Sequence, residues 1–313
     1  MLKSKIKFAR PARRKVSAFS LQPSAFAWSA FTLIELLVVI AILGILGVLT
    51  VPVLKNFRKS DATLGASRQL LDDVGRARQL AISQRTTVYM VFVPTNFWVD
   101  SSGVALNTAS DSWWKNLAPA LQTAVTNLAD KQLTGYTFIA YGAMGDQPGQ
   151  HAWHYLAPWQ VLPEGTFIAM TKFTNTLAGP AYRIIDGIDP NKFFDVYGFC
   201  TNNAFPFPAE TGTNTYAKRI TLPYLAFNYL GQLSVDGQTL APRDEYIPLA
   251  HGAVQVSKDA EHKTFVLSSD PLVLARSPEV TELPPGNSTN SAYNIVHIDR
   301  LSGRAILEFQ KLQ

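Results

Sequence analysis

The stretch from Phe31 to Val53, FTLIELLVVIAILGILGVLTVPV, constrains the chain most, because it holds a single charged residue, Glu35. No side chain from Leu36 to Val53 is charged, and about eighteen such residues are the length that reads as a membrane-spanning helix. A basic leader precedes it, with Lys3, Lys5, Lys7, Arg10, Arg13, Arg14 and Lys15 and no acidic residue. This order does not suit a secretory signal, in which the apolar core comes before a small-x-small cut site. Ala25-Phe26-Ala27 has the small-x-small form, but no apolar core lies upstream of it. An acidic residue well inside hydrocarbon costs roughly 2.5–3.5 kcal/mol on an insertion scale, so Glu35 asks for a partner.

Charge has to be read without the leader. The whole chain of 313 residues carries a net +5, but the seven leader cations leave 21 basic against 23 acidic side chains, a net of −2. The apparent basicity therefore argues for no nucleic-acid partner. Arg76, Arg78 and Arg85 read instead as the solvated side of a helix. The one cysteine, Cys200, excludes an intrachain disulfide, and with Tyr197 and Phe199 beside it, it reads as a packed thiol.

The residues Ser29-Ala30-Phe31-Thr32-Leu33-Ile34-Glu35-Leu36-Leu37 resemble the processing signal of type IV pilins and type II secretion pseudopilins. The resemblance implies that a prepilin peptidase cuts between Ala30 and Phe31 and methylates the new amine of Phe31. It implies that Glu35 neutralises the terminal amine of a neighbouring subunit as the helices bundle; a lone buried carboxylate costs far more than a paired one. Gly44 and Pro52 fall where that family has helix-loosening residues, and Pro52 deprives the Val48 carbonyl of its helical partner, which predicts a kink. Ala30 departs from the family, which has Gly before the cut. The implied partners are the peptidase and methyltransferase, other pilin or pseudopilin subunits and an inner-membrane assembly platform; no cofactor is implied. The implied location is the bacterial inner membrane, single-pass, with the N-terminus cytoplasmic and the remainder extracytoplasmic.

After Pro52 the pattern becomes amphipathic, with Leu54, Phe57, Leu64, Leu71, Val74, Ala77, Leu80 and Ala81 at helical spacing up to Gln84. Thr86 to Val93 is a β-branched and aromatic run, and the segment from Leu70 to Val93 resembles pseudopilins of the H type. The expected organisation is a leader over 1–30, a transmembrane helix over 31–53, its amphipathic continuation over 54–85 and a β-rich head over 86–313 with an insertion near 100–133. In that insertion Asp111 or Ser112 caps a helix whose face is Trp114, Leu117, Leu121, Val125 and Leu128. Short strands are expected at Tyr136–Tyr141, His154–Leu156, Thr166–Met170 and Lys192–Tyr197. Surface loops are expected over 172–191 and 200–216. Tyr293 to Ile298 and Arg304 to Phe309 predict a closing hairpin. The expected fold class is α+β and pilin-like: a long N-terminal helix, half transmembrane and half amphipathic, packed on an antiparallel sheet.

No Gly-rich phosphate loop, H-E-x-x-H or G-x-S-x-G is present. His151 and His154 offer two metal ligands without a fixed companion. Asp186, Asp189, Asn191 and Asp195 form an oxygen-rich cluster of the sort calcium takes, though without EF-hand spacing; an Asx turn explains the same residues. The expected function is a structural filament subunit, not an enzyme, in a type II secretion pseudopilus or a type IV pilus. Two other readings stay open on the residues alone. One is a membrane-tethered envelope hydrolase; the other is a glycan- or protein-binding module using Trp98, Trp113, Trp114, Trp153 and Trp159 on an uncleaved signal anchor.

Overall fold

The computed structural model describes residues 32–97, 119–142, 145–146, 152–174, 179–180, 182–185, 191, 193–207, 218–256, 278–289 and 295–308. The chain divides into two compact units, Met1–Val53 and Leu54–Gln313. Helix α1 (Leu33–Gln84) begins in the first unit and ends in the second.

In the second unit, α1 packs through Ala66, Leu70, Val74, Ala77 and Ala81, all fully buried. Their spacing of three and four residues lays one stripe along the helix. Its partner is β1 (Thr87–Phe92), the centre of a six-stranded antiparallel sheet. That sheet also holds β2 (Gly135–Tyr141), β3 (Trp153–Tyr155), β4 (Gln160–Val161), β10 (Tyr224–Phe227) and β11 (Leu233–Ser234). The order is β11-β10-β1-β2-β3, with β4 also paired to β2. Val88, Met90 and Phe92 face the α1 stripe, and Tyr89, Val91 and Val93 face the other way. Both faces of β1 are buried, so its sequence is a continuous apolar run without polar alternation.

The far face is covered by the hairpin of β8 (Ala204–Phe207) and β9 (Lys218–Thr221). Phe205, Phe207 and Ile220 cluster there with Tyr89 and Tyr224. Tyr89 meets Trp153, Phe205 and Tyr224 with ring centroids 5.3–5.4 Å apart. Such tilted or edge-on pairs add about 0.5–1.5 kcal/mol each beyond the area they bury.

A second sheet runs β13 (Glu279–Glu282), β12 (Glu245–Gln255), β14 (Ile295–Ile298), β15 (Ala305–Glu308), with β5 (Thr166–Ile168) also on β12. β12 changes partner along its length. Glu245 to Pro248 pair with β14, Leu249 to His251 with β5, and Gly252 to Gln255 with β13. Ile247, Leu249, Val296 and Ile298 join the same core cluster as the α1 stripe. A further hairpin pairs β6 (Tyr182–Ile185) with β7 (Phe193–Val196). Helix α2 (Pro119–Ala129) lies before β2 and buries Leu128.

Two expectations are corrected. The pilin-like α+β class, built on a long helix with a transmembrane half, gives way to a sheet-rich fold: fifteen strands in four sheets among the described residues. The stripe that α1 contributes to the sheets runs only from Ala66 to Ala81. The single-pass inner-membrane location is likewise not supported, because no helix among the described residues is long and apolar enough to cross a membrane.

Individual strands form where β-branched and aromatic runs place them, at β1, β2 and the β14–β15 hairpin. β8 and β6 lie in stretches that read from the sequence as surface loops.

Candidate assembly segment and polar sites

Within the first unit, α1 opens with a built N-terminus. The carbonyl of Thr32 accepts from the amides of Glu35 and Leu36 at 3.0 and 3.1 Å, and its hydroxyl accepts from the Glu35 amide at 3.3 Å. Thr32-x-x-Glu35 is thus the spacing of a capping box, a signal that the membrane-span reading of the same residues overlooks. It also sets the Glu35 carboxylate in the first helical turn, where the helix dipole favours negative charge. Glu35 is exposed, and the large apolar side chains from Leu33 to Leu46 are 43–82% exposed. Gly44 has open space around it, and α1 continues through Pro52. Ala30 and Phe31 lie outside the described residues.

Three polar clusters stand out in the second unit. At the seam between α1 and β2, Tyr136 donates its hydroxyl proton to Asp73 Oδ2 and accepts from Gln69 Nε2 at 2.8 Å. Burial pushes the Asp73 carboxyl above its ordinary 3.8, against the lowering effect of the Tyr136 hydrogen bond and of Arg76 nearby. Burial and the same bond push the Tyr136 phenol well up.

A folded-state pKa above 3.8 means that the native state binds more protons than the unfolded chain between the two values, so the Asp73 contribution falls as pH rises. Asp73→Asn keeps an acceptor for Tyr136 and removes the titration. Urea unfolding at several pH values is expected to show the variant at least as stable as the parent at pH 7. The difference should shrink on acidification through the raised Asp73 pKa.

The second cluster is an ion pair. Lys172 is 0% exposed and its Nζ contacts Glu245 Oε2, donates to the Tyr197 carbonyl at 2.8 Å and lies 4.9 Å from the Phe199 ring centre. In the third, His297 sits between Asp244 at 3.1 Å and Glu308 at 3.3 Å, with its ring stacked on Tyr246.

The remaining sequence candidates separate. Asp195 pairs with Arg183, at 2.6 Å from Nε and 3.0 Å from Nη2, across the β6–β7 hairpin, so its carboxylate serves a cross-strand ion pair. Asn191 is exposed in the turn before β7; Asp186 and Asp189 lie outside the described residues. His154 Nε2 is 3.3 Å from Asp146, while His151 lies outside them. Among the described residues no three His, Cys, Asp or Glu side chains converge as a metal ion would need. Trp153 is packed into the aromatic cluster and Trp159 lies beside Tyr155; Trp98, Trp113 and Trp114 lie outside. Burial raises the Cys200 thiol pKa, with Glu245 adding to the effect, which makes it a poor nucleophile.

No family model, no curated protein and no solved structure matches this chain.

Proposed function

We propose that this chain is a prepilin-type structural subunit, a minor pseudopilin or minor pilin. It is cut between Ala30 and Phe31 by a prepilin peptidase, methylated on Phe31 and assembled through the start of α1 into a type II secretion pseudopilus or a type IV pilus. The reading rests on the nine residues Ser29 to Leu37. The start of α1 supports it: a capped helix that exposes its apolar side chains and carries one acid in its first turn. An amine freed at Phe31 has its counter-charge in Glu35 of an adjoining subunit, and desolvation in the bundle makes that pairing count. The polar clusters of the second unit tie its own elements to one another, Tyr136 of β2 to Asp73 of α1 and Lys172 to Glu245 of β12.

Glu35→Ala tests this directly. Processing is expected to be retained, because cleavage acts on the other side of Phe31. Recovery of the subunit in sheared filaments should fall at least tenfold. Normal incorporation of the variant contradicts the proposal.

A further inference from the structure

A cavity of about 240 Å³ lies in the second unit. Three stretches wall it: Asp130 and Thr134 between α2 and β2, Val161 to Phe167 between β4 and β5, and Gly252 to Val254 of β12. Backbone bonds lock these stretches together. Leu162 donates to the Thr134 carbonyl at 3.0 Å, and Gly252 to that of Gly165 at 2.9 Å.

The cavity gathers acceptors whose partners are missing. Thr166 is only 2% exposed, lines the cavity and has no hydrogen-bond partner for its hydroxyl. The buried hydroxyl of Thr134 also lacks one. His251, opposite Thr166 in the β5–β12 register, packs its ring against Gly165 and does not line the cavity. Native folds satisfy nearly all buried polar atoms, so the two threonine hydroxyls in one cavity need an explanation. Asp130 and Glu164 are exposed, line the cavity and are in no ion pair among the described residues. Leu162, Pro163, Phe167 and Val254 make the rest of the wall apolar.

We infer that this cavity binds a primary ammonium group on an alkyl stem, of the kind a lysine side chain carries. The ammonium has three N–H donors and no acceptor, which suits two hydroxyls and two carboxylates. Its methylene stem suits the apolar wall, since such side chains bury the stem while the charge seeks polar partners. A metal ion is disfavoured because the cavity offers two carboxylates and no third acidic, thiol or imidazole ligand within a converging group.

The test is calorimetric titration of the full chain with n-butylamine hydrochloride, tetramethylammonium chloride, calcium chloride and the blocked tripeptide Gly-Lys-Gly. Saturable binding is expected for butylammonium and the tripeptide and not for tetramethylammonium, which has no N–H. Thr166→Val should weaken butylammonium at least about fivefold, as the loss of one charge-assisted hydrogen bond implies. Glu164→Gln, at an exposed position, should weaken it as well and serves if the threonine variant does not fold. Tighter binding of the tripeptide than of butylammonium identifies a lysine on a partner protein as the source; equal binding identifies a free amine. Binding of calcium alone, binding unchanged in both variants, or no saturable heat with any probe overturns the inference, the last leaving water as the only occupant.

Discussion

Lys172→Met is expected to destabilise the fold by about 3–5 kcal/mol, the range for removing one partner of a buried ion pair. Lys172 is fully buried, and the Glu245 side chain is 12% exposed. Without the ammonium, the nearly buried Glu245 side chain loses its partner, and the Tyr197 carbonyl loses its donor. The two residues also join distant segments: Lys172 follows β5, and Glu245 opens β12, the strand on which the second sheet is built. The cost arises from the stranded carboxylate and not from the bare loss of an attraction. Replacing both residues, as Lys172→Met with Glu245→Met, should therefore recover much of the loss, because a buried pair exchanged for well-packed apolar groups is often neutral or better. Urea midpoints for the parent, single and double variants read this out. A double variant no more stable than the single one contradicts the explanation.

Gly303→Ala is expected to cost about 3 kcal/mol or more, from backbone strain and overpacking together. Gly303 has φ +63°, and a Cβ there lies 2.0 Å from the carbonyl oxygen of Gly231. It cannot relax by rotating a side chain, because the obstacle is backbone. The clash falls where the β14–β15 turn meets the β10–β11 turn. Arg78 of α1 donates to the Ser302 carbonyl at 2.6 Å beside it. Separating the two turns loosens the contact of both sheets with α1 at once. The thermal midpoint should drop by roughly 6–12 °C for a chain of this size, whereas Gly75→Ala, which meets nothing within 4 Å on the exposed side of α1, should leave it unchanged or slightly higher.

How much can be read from the sequence depends on whether a segment's neighbours in space agree with its local pattern. β1 is legible because TVYMVF is buried on both faces and so is apolar throughout. The closing hairpin is legible because two short runs flank Asp299 to Gly303, where Ser302 donates its amide to Asp299 Oδ1 at 2.6 Å. β12 is not legible, although it is the longest strand described. Pro248 and Gly252 interrupt its pattern, and three different partners hold it in successive pieces. At Gly252 a Cβ would lie 1.9 Å from the Thr281 carbonyl oxygen, so the residue that argues against a strand is the one that lets β13 approach. β8 is hidden in the same way by Pro206, which pairs opposite Arg219 while Phe205 and Phe207 enter the core.

The apolar run at Phe31 to Val53 is the most unusual feature of the chain, but no helix among the described residues is long and apolar enough to be the transmembrane anchor it suggests. The Lys172–Glu245 pair is invisible in the sequence, since Lys172 sits in a stretch that reads as a loop and no pattern links it to a glutamate 73 residues away. The acceptor-lined cavity is equally hidden, because only the pairing of β5 with β12 brings Thr166 near Gly252 to Val254.

The most direct test is the mass and N-terminal sequence of the chain recovered from cells with and without an active prepilin peptidase. The account predicts a chain that begins at a methylated Phe31 when the peptidase is active and at Met1 when it is not. A chain that begins at Met1 in both, or that loses its leader without the peptidase, contradicts it.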